Sequence, residues 1–242
     1  FVQRLRSGST RAYRRCMALA DGPDHVPTGD VRRPRIAVLV SGSGSNLQAL
    51  LDATVDGRLR ADVVAVVANR EDAFALERAD RAGIATAVLV SEPGTDRPAY
   101  DARLAELVES FGPDLVVLAG WMRLLTMSFL GRFPGRVVNL HPALPGELPG
   151  TKAIERAWSE ALRGERDRTG VMVHLVPDEG VDDGPVLATA EVVIDTDAGF
   201  DEFAAAVHRT EHHVLVETVA RLCADLDRAD PAHPLLSPTT TS

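Results

Sequence analysis

Two rhythms of apolar residues alternate along this chain. Continuous apolar runs rich in β-branched residues occur at RIAVLV (35–40), VVAVVA (63–68), TAVLV (86–90), DLVVLAG (114–120) and RVVNL (136–140). Such runs predict buried strands. Between them lie stripes at helical spacing: Leu47, Leu50, Leu51 and Val55, then Ala75, Leu76, Ala79 and Ala82, which Gly83 ends. A third helix is predicted over 98–111 with Leu104, Leu107, Val108 and Phe111 on its inner face, and a fourth over 151–164. TGVMVHLV (169–176) and PVLATAEVVI (185–194) predict two further strands in succession. A last helix over about 200–225 presents Phe203, Val207, Val214, Leu215 and Leu222 inward. Strands alternating with helices imply right-handed crossovers. The expected fold class is therefore α/β, a doubly wound, mostly parallel sheet of about seven strands with helices on both faces. Its last two strands make one end antiparallel or mixed.

Ligands bind such sheets beyond the carboxyl ends of the strands. That places the expected chemistry in residues 41–46, 69–70, 91–97, 119–125, 139–150 and 177–185. Residues 1–33 hold no sustained period and are broken by Gly22, Pro23, Pro27 and Gly29. They are expected to form a disordered extension, residues 34–226 one catalytic domain, and 227–242 a loose tail.

Composition narrows the classes. Of 242 residues, 45% are apolar and 25% charged, close to the soluble globular average. Aromatic residues are only 5%, so Ala, Val and Leu must fill the core. No apolar run reaches the about 18 residues of a membrane span. Lys and Arg number 26 against 35 Asp and Glu, a net charge of −9. The basic excess is local: residues 1–34 hold seven Arg against Asp21, Asp24 and Asp30. An acidic body argues against a nucleic-acid binder, which needs a basic face. Cys16 and Cys223 form no metal or disulfide pattern, and a cytoplasmic location is the simplest expectation.

Two stretches carry chemistry. Ser41-Gly42-Ser43-Gly44-Ser45-Asn46 leaves the first strand and opens the first helix. Small residues admit a ligand close to the backbone, and the unpaired N–H groups of a helix start attract an anion. A phosphate cradle is the sharper reading and a tight capped turn the blander one. The loop lacks the third Gly of a dinucleotide fingerprint and the Lys of a Walker loop. Arg70, at the end of the second strand, leaves a nicotinamide enzyme as a remote alternative. The other stretch is Val137-Val138-Asn139-Leu140-His141-Pro142, which ends a buried strand in two polar residues on one face. Asp178, Glu179, Asp182 and Asp183 lie in a later loop on the same side of the predicted sheet. One of these carboxylates could orient His141 and raise its pKa. A His poised near neutrality is a general acid or base, and a neighbouring amide can hold a developing oxyanion. No nucleophile elbow is present, which argues for direct transfer to a bound acceptor.

His208-Arg209-Thr210-Glu211-His212 matches an inverted zinc-peptidase pattern. Such a site needs a third protein ligand, and few residues remain to supply one. No metal is expected.

The motifs SGSGSNLQALLDA (41–53), RPAYDARL (97–104), PDLVVLAGWMRLL (113–125), VVNLHPALPG (137–146), TGVMVHLVPDEGVDDGP (169–185) and RTEHH (209–213) together resemble the glycinamide ribonucleotide formyltransferase family. The resemblance implies a Rossmann-like fold and a folate-dependent enzyme of purine synthesis. It implies that Gly44, Ser45 and Asn46 hold the phosphate of glycinamide ribonucleotide and that Glu211 accepts from its ribose hydroxyls. Arg97, Met122, Arg123, Leu124 and Leu125 would bind the co-substrate 10-formyltetrahydrofolate, with Asn139. His141 would donate the proton, Asn139 hold the formyl oxygen and Asp182 raise the pKa of His141. The substrates implied are small molecules, with no nucleic acid, membrane or metal, and a homodimer is compatible with the resemblance. Lys152 stands where many members carry a second His. The alternatives are a 10-formyltetrahydrofolate hydrolase, with water as acceptor, and a non-catalytic nucleotide-binding module.

Overall fold

The computed structural model describes residues 32–91 and 94–228. The expectations for residues 1–31 and 229–242, and Cys16 with them, lie outside the described residues. Seven strands form one sheet: β1 (Arg35–Val40), β2 (Asp62–Ala68), β3 (Thr86–Val88), β4 (Leu115–Leu118), β5 (Val137–His141), β6 (Arg168–Leu175) and β7 (Val186–Val193). Their order is β3-β2-β1-β4-β5-β6-β7. The strands β1 to β5 run parallel, whereas β6 is antiparallel to both β5 and β7. The mixed far end comes from β6, which runs antiparallel to β5 although α5 joins them, and the β6–β7 hairpin then adds β7 antiparallel to β6.

The helices are α1 (Ser45–Val55), α2 (Phe74–Arg81), α3 (Arg97–Glu109), α4 (Met127–Leu130), α5 (Ala153–Leu162) and α6 (Phe200–Arg228). Alternate residues of β1 serve opposite faces of the sheet. Ile36, Val38 and Val40 pack with the buried faces of α1, α2, α5 and α6, while Ala37 and Leu39 pack with α3 and α4. All five of these β1 side chains are fully buried. Each would contribute roughly 1.5–3 kcal/mol for a Val, Leu or Ile, less for Ala. The expected inner faces are found at Leu47, Leu50 and Leu51 and along α6, but Val55 is 89% exposed. It is the last residue of α1, next to the C-cap at Asp56. The four-residue α4 has no counterpart among the predicted elements.

The fold places the site through one topological fact. Strand order reverses between β1 and β4, so their following loops diverge and open a crevice. The two loops are tied at its floor: Ser41 N–H donates to the Gly120 carbonyl at 3.1 Å, and Met122 N–H to Ser41 Oγ at 2.8 Å.

Candidate active site

Asn139 and His141 close β5 on the same face, as their two-residue spacing requires. The β6–β7 hairpin returns Asp182 to them. The hairpin turns tightly because a Cβ on Gly184 would sit 1.9 Å from the Leu175 carbonyl oxygen, so no larger residue fits. Asp182 adopts a left-handed φ of 54°, a conformation that Asp tolerates better than most residues. Its carboxylate joins four groups. Oδ1 accepts from Asn139 Nδ2 at 3.0 Å and lies 3.5 Å from His174 Nε2. Oδ2 accepts from the Gly150 N–H at 2.8 Å and lies 3.3 Å from His141 Nδ1.

His141 has a second partner, since its Nε2 lies 3.1 Å from the Leu148 carbonyl oxygen. Two acceptors therefore flank the two ring nitrogens, and only the doubly protonated imidazolium satisfies both. Burial opposes that charge, because the residue is 4% exposed. Desolvation pushes the His141 pKa below its ordinary value, while Asp182 and the Leu148 carbonyl pull it up without cancelling the loss. The expected upward pull of Asp182 is present, but the net direction is downward. Burial would by itself raise the Asp182 carboxyl. The His174 imidazole beside Oδ1, the Gly150 N–H and His141 outweigh it and hold Asp182 below the usual carboxylate range. Asp182 thus remains ionised beside the imidazole.

Sequence reasoning does not single out His174, which lies within the apolar run of its strand. It is 2% exposed, and the antiparallel register sets it directly across from Asn139. Its Nδ1 faces the Leu175 carbonyl at 2.8 Å, which leaves Nε2 to accept from Asn139 Nδ2 at 3.1 Å. Both amide hydrogens of Asn139 are thereby committed, one to Asp182 and one to His174. The amide anchors the carboxylate first.

These groups sit at one end of a cavity of about 330 Å³. Trp121, Met122, Arg123, Leu124 and Leu125 form one wall, and Val176, Asp178 and Val181 belong to another. Met122 and Leu124 are 65% and 44% exposed at its rim. Arg123 stacks over the Tyr100 ring at 4.5 Å, and its Nε is buried without a hydrogen-bond partner. The wall is fixed from behind by Asp101, whose buried carboxylate accepts from the Thr126 N–H at 2.6 Å. Arg97 is exposed at the first turn of α3, outside these walls.

The Ser41–Asn46 loop, at the start of α1, is bonded to the cavity wall at Met122 but does not itself line the cavity. Gly44 caps the helix at φ 71° with no side-chain bond, so the first N–H groups keep free donors. A Cβ there would fall 2.6 Å from Ala75 Cβ, hence Gly. Asn46 is 8% exposed and its Oδ1 has no partner. Arg78 braces the loop from α2, donating from Nε to the Ser43 carbonyl at 2.9 Å. On α6, Glu211 is 5% exposed and its Oε2 accepts from His208 Nδ1 at 2.6 Å. That bond raises the His208 pKa. His208, Glu211 and His212 thus form a hydrogen-bonded pair and a neighbour. Among the described residues, no group of three or more His, Cys, Asp or Glu is placed to share a metal ion. No described helix is long and apolar enough to cross a membrane.

Comparison with known proteins adds an independent line. Residues 34–219 match the family model described as formyl transferase. A phosphoribosylglycinamide formyltransferase of Escherichia coli strain K12 is 41% identical over 179 residues, which cover 74% of this chain and 82% of that protein. One from Schizosaccharomyces pombe is 40% identical over 202 residues, 78% of this chain and 97% of the relative. Among solved structures, glycinamide ribonucleotide transformylase 1 from Symbiobacterium toebii matches with a TM-score of 0.74 at 35% identity, over 84% of this chain and 93% of that one. On the strength of the family match and of these relatives, this chain belongs to the formyl transferase family.

Proposed function

We propose that the chain transfers the formyl group of 10-formyltetrahydrofolate to the amine of glycinamide ribonucleotide, in purine biosynthesis in the cytoplasm. Residues 34–226 act as its catalytic unit, with no metal. The observation that carries this reading is the meeting of His141, Asp182 and Asn139 at the end of a largely apolar cavity. The names of the relatives supply the acceptor and the transferred group.

The residues present fit a flat folate. Trp121, Met122, Leu124, Leu125, Val176 and Val181 give apolar walls, and the unpartnered Arg123 Nε offers a donor between them. When bound, the formyl folate supplies an electrophilic carbonyl carbon to the attacking amine. The chain's own contribution is positional and electrostatic. His141 lines the cavity with a proton on Nδ1 toward Asp182 when neutral and on both nitrogens when charged. Asp182, ionised by its hydrogen bonds, makes the second proton less costly. Asn139, itself held by His174, and the Gly150 N–H hold that carboxylate still. For Asn139 to meet the formyl oxygen as well, one N–H must turn from Asp182 or His174, at a cost of about 1 kcal/mol for the bond exchanged. The Gly44–Asn46 helix start takes the phosphate, and Glu211 faces the ribose.

The test uses the purified chain with both substrates. Tetrahydrofolate release should require the ribonucleotide, and release at the same rate without it would assign hydrolysis instead. His141→Ala should abolish turnover, by about 10²–10⁴-fold, while calorimetry shows ribonucleotide affinity nearly unchanged. Turnover like that of the wild type in this variant would remove His141 from the mechanism.

A further inference from the structure

We infer that Arg166 is a positioning residue for the His141 imidazole, acting through Glu147 and the Leu148 carbonyl. The inference rests on the formyl-transfer reading above. It starts from the segment between β5 and α5, which supplies one of the two acceptors on the ring. Leu148 offers its carbonyl to His141 Nε2 at 3.1 Å from a left-handed backbone, φ 46°. A branched residue in that conformation is strained by about 1 kcal/mol or more. Its carbonyl keeps its aim only while the surroundings hold it.

Two sets of ties do so. On the downstream side, Gly150 N–H donates to Asp182 and Arg156 Nη1 to the Pro149 carbonyl, each at 2.8 Å. Upstream, the Glu147 carboxylate pairs with Arg166 Nη1. Arg166 is itself fixed on the scaffold. Its Nε donates to Glu160 Oε2 of α5 at 2.8 Å and its Nη1 to the Arg168 carbonyl, at the start of β6, at 3.2 Å. Its side chain is only 16% exposed. One guanidinium therefore reconciles two carboxylates, one on the loop and one on a helix. Without it, Glu147 and Glu160 repel, and the loop can relieve that repulsion by moving outward. Leu148, the next residue, then withdraws its carbonyl from the ring.

The consequence is electrostatic as well as geometric. The charged and titratable groups facing His141 are Asp182 from the β6–β7 hairpin and His174 from β6, with Arg123, Lys152 and Asp178 elsewhere in the cavity lining. Substitution at Arg166 changes none of them. It removes the Leu148 acceptor that favours a proton on Nε2.

The experiment compares Arg166→Gln, Glu147→Gln, their double variant and Arg166→Lys. Arg163→Gln, which breaks an exposed pair with Glu165 on the neighbouring surface, serves as control. Two readouts are taken: pH profiles of formyl transfer, and the titration and tautomer of the His141 ring by NMR. Arg166→Gln is expected to lower kcat about three- to tenfold and to move the His141 limb down by about 0.5–1 pH unit, as loss of one hydrogen bond implies. KM for both substrates should change by less than about twofold. Glu147→Gln should reproduce the shift, the double variant should add little to it, and Arg166→Lys should recover part of it. An Arg166→Gln protein with the wild-type limb and ring titration overturns the inference, as does a change confined to KM. If Arg166→Gln does not fold, Glu147→Gln decides, since its side chain is 37% exposed. A wild-type chain without formyl transfer would sink the functional reading alone, because the ring titration still tests the anchor.

Discussion

Replacing Asp182 by Asn tests the electrostatic core of the site with little change of shape. The variant keeps one acceptor oxygen, enough for either the Asn139 Nδ2 bond at 3.0 Å or the Gly150 N–H bond at 2.8 Å but not both, and it loses the charge 3.3 Å from His141 Nδ1. At that separation, unit charges attract by about 5 kcal/mol at an effective dielectric of about 20, and by about 2 kcal/mol at about 50. The Asp182 side chain is 11% exposed, so solvent screens the pair only in part. At about 1.4 kcal/mol per unit, the smaller figure lowers the His141 pKa by about 1.5 units beyond the reduction burial already causes. The sign follows from the role. A proton donor works while protonated, so activity is lost as pH rises through its pKa, and a lower pKa moves that loss to lower pH. Near neutrality the variant should transfer formyl about 30-fold more slowly, or worse, and recover partly as the pH falls. The assay is kcat against pH for both proteins, with KM for each substrate. An Asp182→Asn enzyme whose alkaline limb coincides with that of the wild type would refute the claim that this carboxylate tunes the imidazole.

Two further outcomes follow from the phosphate side. Gly44→Ala forces a Cβ to 2.6 Å from Ala75 Cβ at φ 71°, so calorimetry should show a loss of about 1–3 kcal/mol, and KM for the ribonucleotide should rise. Unchanged values of both would mean that the loop relaxes freely. Glu211→Gln removes the partner that raises His208. NMR should find the His208 pKa falling toward its ordinary value, and KM for the ribonucleotide rising about tenfold or more as a charge-assisted bond is lost. A KM that stays put would place the ribose elsewhere.

The sheet was legible because its parallel strands are buried on both faces, so their apolar runs are unbroken. Asn139 and His141 were legible for the complementary reason, as polar residues that end such a run. His174 was not, because it sits within an apolar strand as a core polar residue does. Only the pairing Asn139↔His174 gives it a role, and an antiparallel register is invisible to local periodicity. At four residues, α4 is too short to show a period. Val55 has the spacing of the α1 stripe, yet periodicity does not say where a helix end leaves the core. The net direction of the His141 pKa was hidden for a similar reason: charge partners can be guessed from sequence, whereas burial is a property of the whole fold.

Backbone strain ties these observations together. Among the described residues, Leu148, Lys152 and Asp182 are the non-glycine positions with positive φ. Asp182 and Lys152 line the cavity, and Leu148 holds the ring of His141. Glycine would adopt each conformation without steric cost, but it would supply neither a charge nor an apolar anchor. Asp182 must carry the charge. Leu148 is 6% exposed within the main core, so its side chain pins the carbonyl that its backbone aims. The strain is sustained by ties that lead back to regular elements: Asn139 on β5, itself paired with His174 on β6, for Asp182, and for the loop Arg156 on α5 and Arg166, which bonds in turn to α5 and to the start of β6. A catalytic imidazole flanked by two acceptors needs both held at fixed distance against thermal motion. Placing the strained residues between rigid anchors is how this chain meets that need, and it is why groups as remote as Arg166 should register in the titration of His141.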